Sequence, residues 1–178
     1  LGGNFSGYLV DELISINKGE RYGYGSSSAT IATGWHHVAA VWSTSSATNS
    51  GANGYDIYLD GVKVGNIYDT RGGSAPTPAL YTLASGAEFR IGQRGNATYP
   101  FAGKIDEVAI FDSTVSSSDI TAIYNSGVPA DLASLRPVGW WRMGDGTEAG
   151  SGTTIYDMSS NSNNGTLTHG PTYSTDTP

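Results

Sequence analysis

Cysteine is absent from the 178 residues, so neither disulfides nor thiolate metal sites are available and stability has to come from packing. Cations are scarce too. Nine Lys and Arg against sixteen Asp and Glu leave a formal charge of -7, with no basic stripe to follow a phosphate backbone, so nucleic acid is not an expected partner. Only 14% of the residues are charged, too few to solvate the outer faces of long amphipathic helices. Long apolar runs are missing as well: "WHHVAAVW" (35–42) falls far short of the roughly 20 residues that span a bilayer, so no membrane insertion is expected. The opening "LGGNFSGY" has no Met and no charged, apolar, small-residue leader, as expected of a fragment or a processed product.

What the chain does contain is turn residues and aromatics. With 25 Gly, 11 Tyr and 38% hydrophobic residues it reads as a folded chain rich in turns. Its length is that of one ordinary domain, which buries about 70% of the surface of its unfolded chain. Short runs of alternating apolar, β-branched and aromatic residues recur between clusters of Gly, Ser, Asn and Pro, the pattern of an all-β antiparallel sandwich.

The clearest central strand is "GWHHVAAVWS" (34–43), where alternation puts Trp35, His37, Ala39 and Val41 on one face and His36, Val38, Ala40 and Trp42 on the other. In "YDIYLDGVKVG" (55–65), Asp60-Gly61 supplies the two positive-φ positions of a type I′ hairpin. Two further strands are expected at "EFRIGQ" (88–93) and "KIDEVAIF" (104–111). "SSSDITAIYNSG" (116–127) carries the one helical signal: Ser116 or Ser117 as N-cap, Asp119 in the first turn, Ile120, Ile123 and Tyr124 on one face, and Gly127 as the stop. Such a helix spans about two turns and holds only if it packs on the sheets. Residues 1–127 form the expected body, and 128–137, with two prolines, a linker. Short strands are expected beyond it in "GWWRMGDG", "TTIYDM" and "GTLTHG".

The stretches "GWHHVAAVW", "YDIYLDGVKVG", "FRIGQ" and "FAGKIDEVAIFDSTVSSSDITAIYNSG", in that order, resemble the laminin-G-like branch of the concanavalin A-like jelly rolls, which also includes pentraxins. The resemblance covers roughly residues 30–127 and implies an antiparallel jelly-roll sandwich with one short helix. The ending "VGWWRMGDGTEAGSGTTIYDMSSNSNNGTLTHG" looks like the opening strand and loop of such a module. Because it comes last here, residues 138–178 either complete the sandwich or begin a second module. The arrangement is also similar to modules in structural proteins of marine bacteriophages.

Candidate chemistry is thin. A retaining glycosidase needs two carboxyl groups about 5 Å apart aimed at one sugar. Asp106 and Glu107 are neighbours, as are Asp11 and Glu12, and in a regular strand neighbours face opposite sides. No catalytic residue is therefore assigned, and the alternative for Asp106 and Glu107 is a strand end or bulge where they accept backbone N–H bonds and anchor the loop. His36 and His37 are separated by the same alternation and cannot share a metal. In "DMSSNSNNG", Asp157, Ser159, Asn161 and Asn163 recur at alternate positions and offer oxygens to Ca²⁺, although one carboxylate implies weak affinity and the loop lacks an EF-hand's Gly and Glu. The competing reading is an Asn-rich turn held by side-chain to backbone bonds. Pentraxin calcium ligands follow the strand equivalent to "RIGQ", where only Asn96 resembles one.

Sugar binding without catalysis needs an aromatic face and flanking amides or Arg. Tyr22 and Tyr24 alternate onto one side of their segment, and Arg94, Asn96 and Tyr99 lie in one loop, so these five are the candidate ligand-binding residues. Tyrosines in sheets also serve cross-strand packing. The sequence thus leads to a non-enzymatic recognition module of an extracellular or virion-surface protein, such as a tail fibre, spike or capsid appendage, with cell-surface glycans as partner. The rival is a structural decoration module that contacts neighbouring virion or filament subunits.

Overall fold

The computed structural model describes residues 23–24, 34–43, 54–68, 89–93, 100–143 and 150–178, of which 23–24, 42–43, 54–55 and 65–68 are described through the backbone alone. The first sheet is built around the Asp60-Gly61 turn. Both residues take positive φ, 50° and 76°, as a type I′ turn requires, and they join β3 (Gly54–Leu59) to β4 (Val62–Tyr68). On the other side β3 pairs antiparallel with β2 (Val38–Ser43), and β4 pairs with the short β1 (Gly23–Tyr24), giving the order β1-β4-β3-β2. Ile57 and Tyr58, adjacent on β3, are both buried, so this central strand is covered on both faces. The register shift between them leaves Val64 as the extra residue of a bulge in β4.

β2 starts later than its sequence pattern suggests. His37, next in register, bonds to the turn: its carbonyl accepts the Asp60 N–H at 2.9 Å and its own N–H donates to Asp60 Oδ1 at 3.0 Å. The expected strand at 104–111 shrinks to β5 (Val108–Ile110), because Glu107 sits in the left-handed region at φ 51° and ends the regular pleat. No strand forms within 89–93. Gly92 turns the chain there at φ 76°, and its carbonyl accepts the Phe101 N–H at 2.7 Å.

Helix α1 (Ser117–Tyr124) begins as expected. Ser116 caps the Asp119 N–H while the Asp119 carboxylate accepts the Ser116 N–H, a reciprocal capping box. It stops at Asn125 in the left-handed conformation, two residues ahead of the expected Gly127; Asn tolerates that backbone because of its short polar side chain. Ile120 is buried, the Tyr124 ring stacks on His37 at 6.0 Å, and Thr121 Oγ1 donates to the Gly61 carbonyl. The helix therefore packs on the β3–β4 turn.

Residues 128–137 are more than a tether: a turn of 3-10 helix covers Ala133–Leu135, and Leu132 and Pro137 are buried. β6 (Gly139–Trp141) then pairs antiparallel with β5, Val108 opposite Trp141 and Ile110 opposite Gly139. A small antiparallel sheet follows, β7 (Gly150–Ser151), β8 (Thr154–Ile155) and β9 (Gly165–Thr166) in that order. The described residues are thus all-β with a single short α-helix, as the alternation implied.

Candidate functional site

Glu107 and Arg142, each one residue beyond the paired Val108 and Trp141, form an ion pair, Nε to Oε1, at 2.7 Å. The other Glu107 oxygen accepts the Trp140 indole N–H at 2.8 Å. The guanidinium of Arg142, just past the end of β6, lies 5.6 Å from the Trp140 ring centroid. Both oxygens of the Glu107 carboxylate are therefore bonded inside the scaffold. Asp106 Oδ1 accepts the Glu107 N–H at 3.0 Å, which steadies the left-handed turn. Both residues thus bond within the scaffold at the end of β5, and Glu107 aims at β6.

Trp141 points to the opposite face. Its indole N–H donates to the Asn163 carbonyl at 2.9 Å, and its ring carries the Phe89 ring at 5.8 Å and 23°. Trp141 is 8% exposed and Phe89 61%, so a buried indole supports a phenyl ring that faces solvent. Neither was a candidate from sequence. The available signal was the Trp140-Trp141 pair itself, which alternation splits between an ion-pair face and an aromatic one.

The Asn-rich loop closes on Asp157, 8% exposed. Its Oδ1 accepts the N–H groups of Trp140 at 2.8 Å and Ser159 at 2.9 Å, and its Oδ2 accepts the Asn163 N–H at 2.7 Å and the Ser159 hydroxyl at 2.8 Å. Asn161 and Asn163 both donate side-chain N–H to the Val138 carbonyl, at 2.9 and 3.2 Å. Burial disfavours the charged form of Asp157, but the Trp140, Ser159 and Asn163 N–H bonds and the Ser159 hydroxyl outweigh it and hold the carboxyl below the usual carboxylate range. The loop thus brings the four proposed calcium ligands together as a hydrogen-bonded turn. Its carboxylate faces N–H and O–H donors, a set that fits a fixed anion; a hard cation needs oxygens in those positions. Among the described residues no three His, Asp or Glu converge as a metal site.

At the hairpin, Asp60 also binds His36, Oδ2 to Nδ1 at 2.8 Å, while the His37 ring lies under Tyr124. Burial pushes the His37 imidazole below its ordinary pKa, against the attraction of Asp60. The two imidazoles serve different contacts. Tyr22, Arg94, Asn96 and Tyr99 lie outside the described residues, and so does the Tyr24 side chain, though its backbone pairs with Ile67 in β1–β4.

Antiparallel sheets with a single short α-helix among the described residues are the architecture of an all-β sandwich. A laminin-G family model described as the concanavalin A-like lectin/glucanases superfamily matches residues 10–121. The chain belongs to that superfamily. No curated protein and no solved structure matches it, and no match bears on the similarity to bacteriophage proteins.

Proposed function

We propose that this chain is a non-enzymatic recognition module of an extracellular or virion-surface protein, a tail fibre, spike or capsid appendage, and that it binds cell-surface glycans. The observation that carries the reading is membership of a lectin-containing superfamily over residues 10–121 together with the engagement of Glu107 by Arg142 and Trp140. A carboxylate held this way is unsuited to protonate a glycosidic oxygen, because both its oxygens already accept strong hydrogen bonds. Among the described residues no helix is long and apolar enough to cross a membrane, and the charge of -7 disfavours nucleic acid.

The test is an array of immobilised oligosaccharides and bacterial polysaccharides, probed with and without millimolar calcium. Saturable binding to a subset of glycans, with the bound sugar recovered intact, is the expected result. A blank array removes the lectin reading, and release of shortened sugars removes the non-enzymatic one. If the array is blank while the chain co-sediments with particles or filaments of its own source, the structural decoration role replaces it.

A further inference from the structure

We infer that Phe89 is the stacking platform for a pyranose ring, an inference that rests on the glycan-binding reading above. An aromatic ring binds a sugar when one face is free, the ring is held still and its surroundings exclude collapse, because the small gain from C–H contact is otherwise lost in ordering the side chain. Phe89 has an exposed surface and an aromatic backing. One face rests on Trp141 at 5.8 Å and 23°, while 61% of the residue remains exposed.

The support beneath it is fixed at several points. Trp141 is 8% exposed and sits in β6 opposite Val108, and its indole N–H is held by the Asn163 carbonyl. That carbonyl belongs to the turn closed by Asp157, whose Oδ2 accepts the Asn163 N–H. The phenyl ring is thus mounted on a buried indole that is mounted on a hydrogen-bonded loop. Flanking backbone is pinned too, since the Gly92 carbonyl three residues on accepts the Phe101 N–H at 2.7 Å.

A single exposed ring and a single sugar ring match in size. A stable protein partner covers about 800 Å² on each side, far more than the face of one phenyl ring, whereas the C–H face of a pyranose is of the same size as that ring. The apolar face of a pyranose, where axial C–H groups line one side of the ring as in a glucose unit, is the chemistry that fits.

The experiment compares the wild-type chain with F89A, F89Y and F89W on the glycans that the array selects. Loss of about tenfold or more in affinity for F89A is expected from removing one aromatic stack, with F89Y and F89W within about threefold of wild type. Because Phe89 is mostly exposed, the melting temperature of F89A should stay within about 2 °C of wild type, which separates lost binding from lost folding. Sugar should also change tryptophan emission in the wild type, through Trp141 under the ring, and not in F89A. If the wild type binds a glycan and F89A binds it equally, the platform is refuted while the lectin reading stands. A wild type that binds no glycan overturns both, and a dimer in the wild type that F89A dissolves makes the ring a contact between copies and refutes the platform as well.

Discussion

Replacing Glu107 tests the scaffold most directly, because that one residue carries both an unusual backbone conformation and a bonded carboxylate. E107A leaves the Trp140 indole N–H, on a residue only 6% exposed, without an acceptor, at about 1–3 kcal/mol. Arg142, its side chain 23% exposed, loses its ion-pair partner, which adds about 1 kcal/mol at such a half-buried position. The expected loss is about 2–4 kcal/mol, or about 2–4 °C of melting temperature for each kcal/mol in a chain of this length. E107G suffers the same side-chain losses. It also relieves the left-handed strain at φ 51°, about 1–2 kcal/mol for a residue with a Cβ, against about 0.4–1 kcal/mol for glycine's freer unfolded chain. Glycine, ordinarily the worse substitution, should therefore be the milder one here, by up to about 1.6 kcal/mol. Urea denaturation of the wild type and both variants, monitored by tryptophan emission, measures this. E107A within about 0.5 kcal/mol of wild type, or E107G clearly less stable than E107A, would refute the roles given to the carboxylate and to the turn.

Asp157 should behave as a buried anion: its carboxyl is depressed, so its contribution is present above the unfolded value near pH 4 and is lost as pH falls through the folded one. D157N turns one acceptor into a donor facing the Asn163 N–H or the Ser159 hydroxyl and should cost about 2–4 kcal/mol, with a flatter acid limb in a pH series of thermal melts. His37 is depressed mainly by burial, so it stabilises fully above about pH 6.5 and less as pH drops through its folded value; H37F should remove the part of the pH 5–7 stability slope due to this residue while keeping the stack on Tyr124. Calcium at up to about 5 mM should shift the melting temperature of the wild type by less than about 1 °C, because an ion at Asp157 must displace four donors; a saturable calorimetric signal lost in D157N would instead establish the metal reading. Ending the chain at residue 137 removes β6 from β5 and the indole beneath Phe89; the shortened chain should lose its cooperative melt, whereas retention of it would mean that residues 138–178 begin a separate module.

The hairpin and the start of the helix were legible because their determinants are local. Asp60-Gly61 leaves the backbone one economical turn, and Ser116 with Asp119 forms a cap within four residues. The stop of the helix was misplaced because Asn125 reaches the left-handed conformation before Gly127 does. The role of Glu107 was only half visible. Period-two alternation presumes an unbroken pleat, and Glu107 breaks it, while its partner lies 35 residues further on, brought near by the pairing of β5 with β6. Phe89 was invisible for the same reason, since what makes its ring a fixed surface is Trp141, remote in sequence. The tyrosine, arginine and asparagine candidates for sugar binding lie outside the described residues or, for Tyr24, outside the described side chains.

These remote partners share a pattern. Trp35, Phe89, Lys104 and Glu107 precede the helix, and each meets a residue that follows Pro137: Asp176 for Trp35 and Lys104, Trp141 for Phe89, and Arg142 with Trp140 for Glu107. Of these contacts, the stack and the Glu107 bonds lie on opposite faces of β6, so a strand of three residues, Gly139–Trp141, couples the aromatic surface on one side to the ion pair on the other. So short a strand cannot hold itself straight through its ladder alone. Its geometry is set by what grips it on both faces: Glu107 on one, Asn163 on the other, and Asp157 at the Trp140 N–H. Residues that look like spare acids and a spare polar loop are therefore what keeps Trp141 in place, and through it the orientation of the ring that faces solvent.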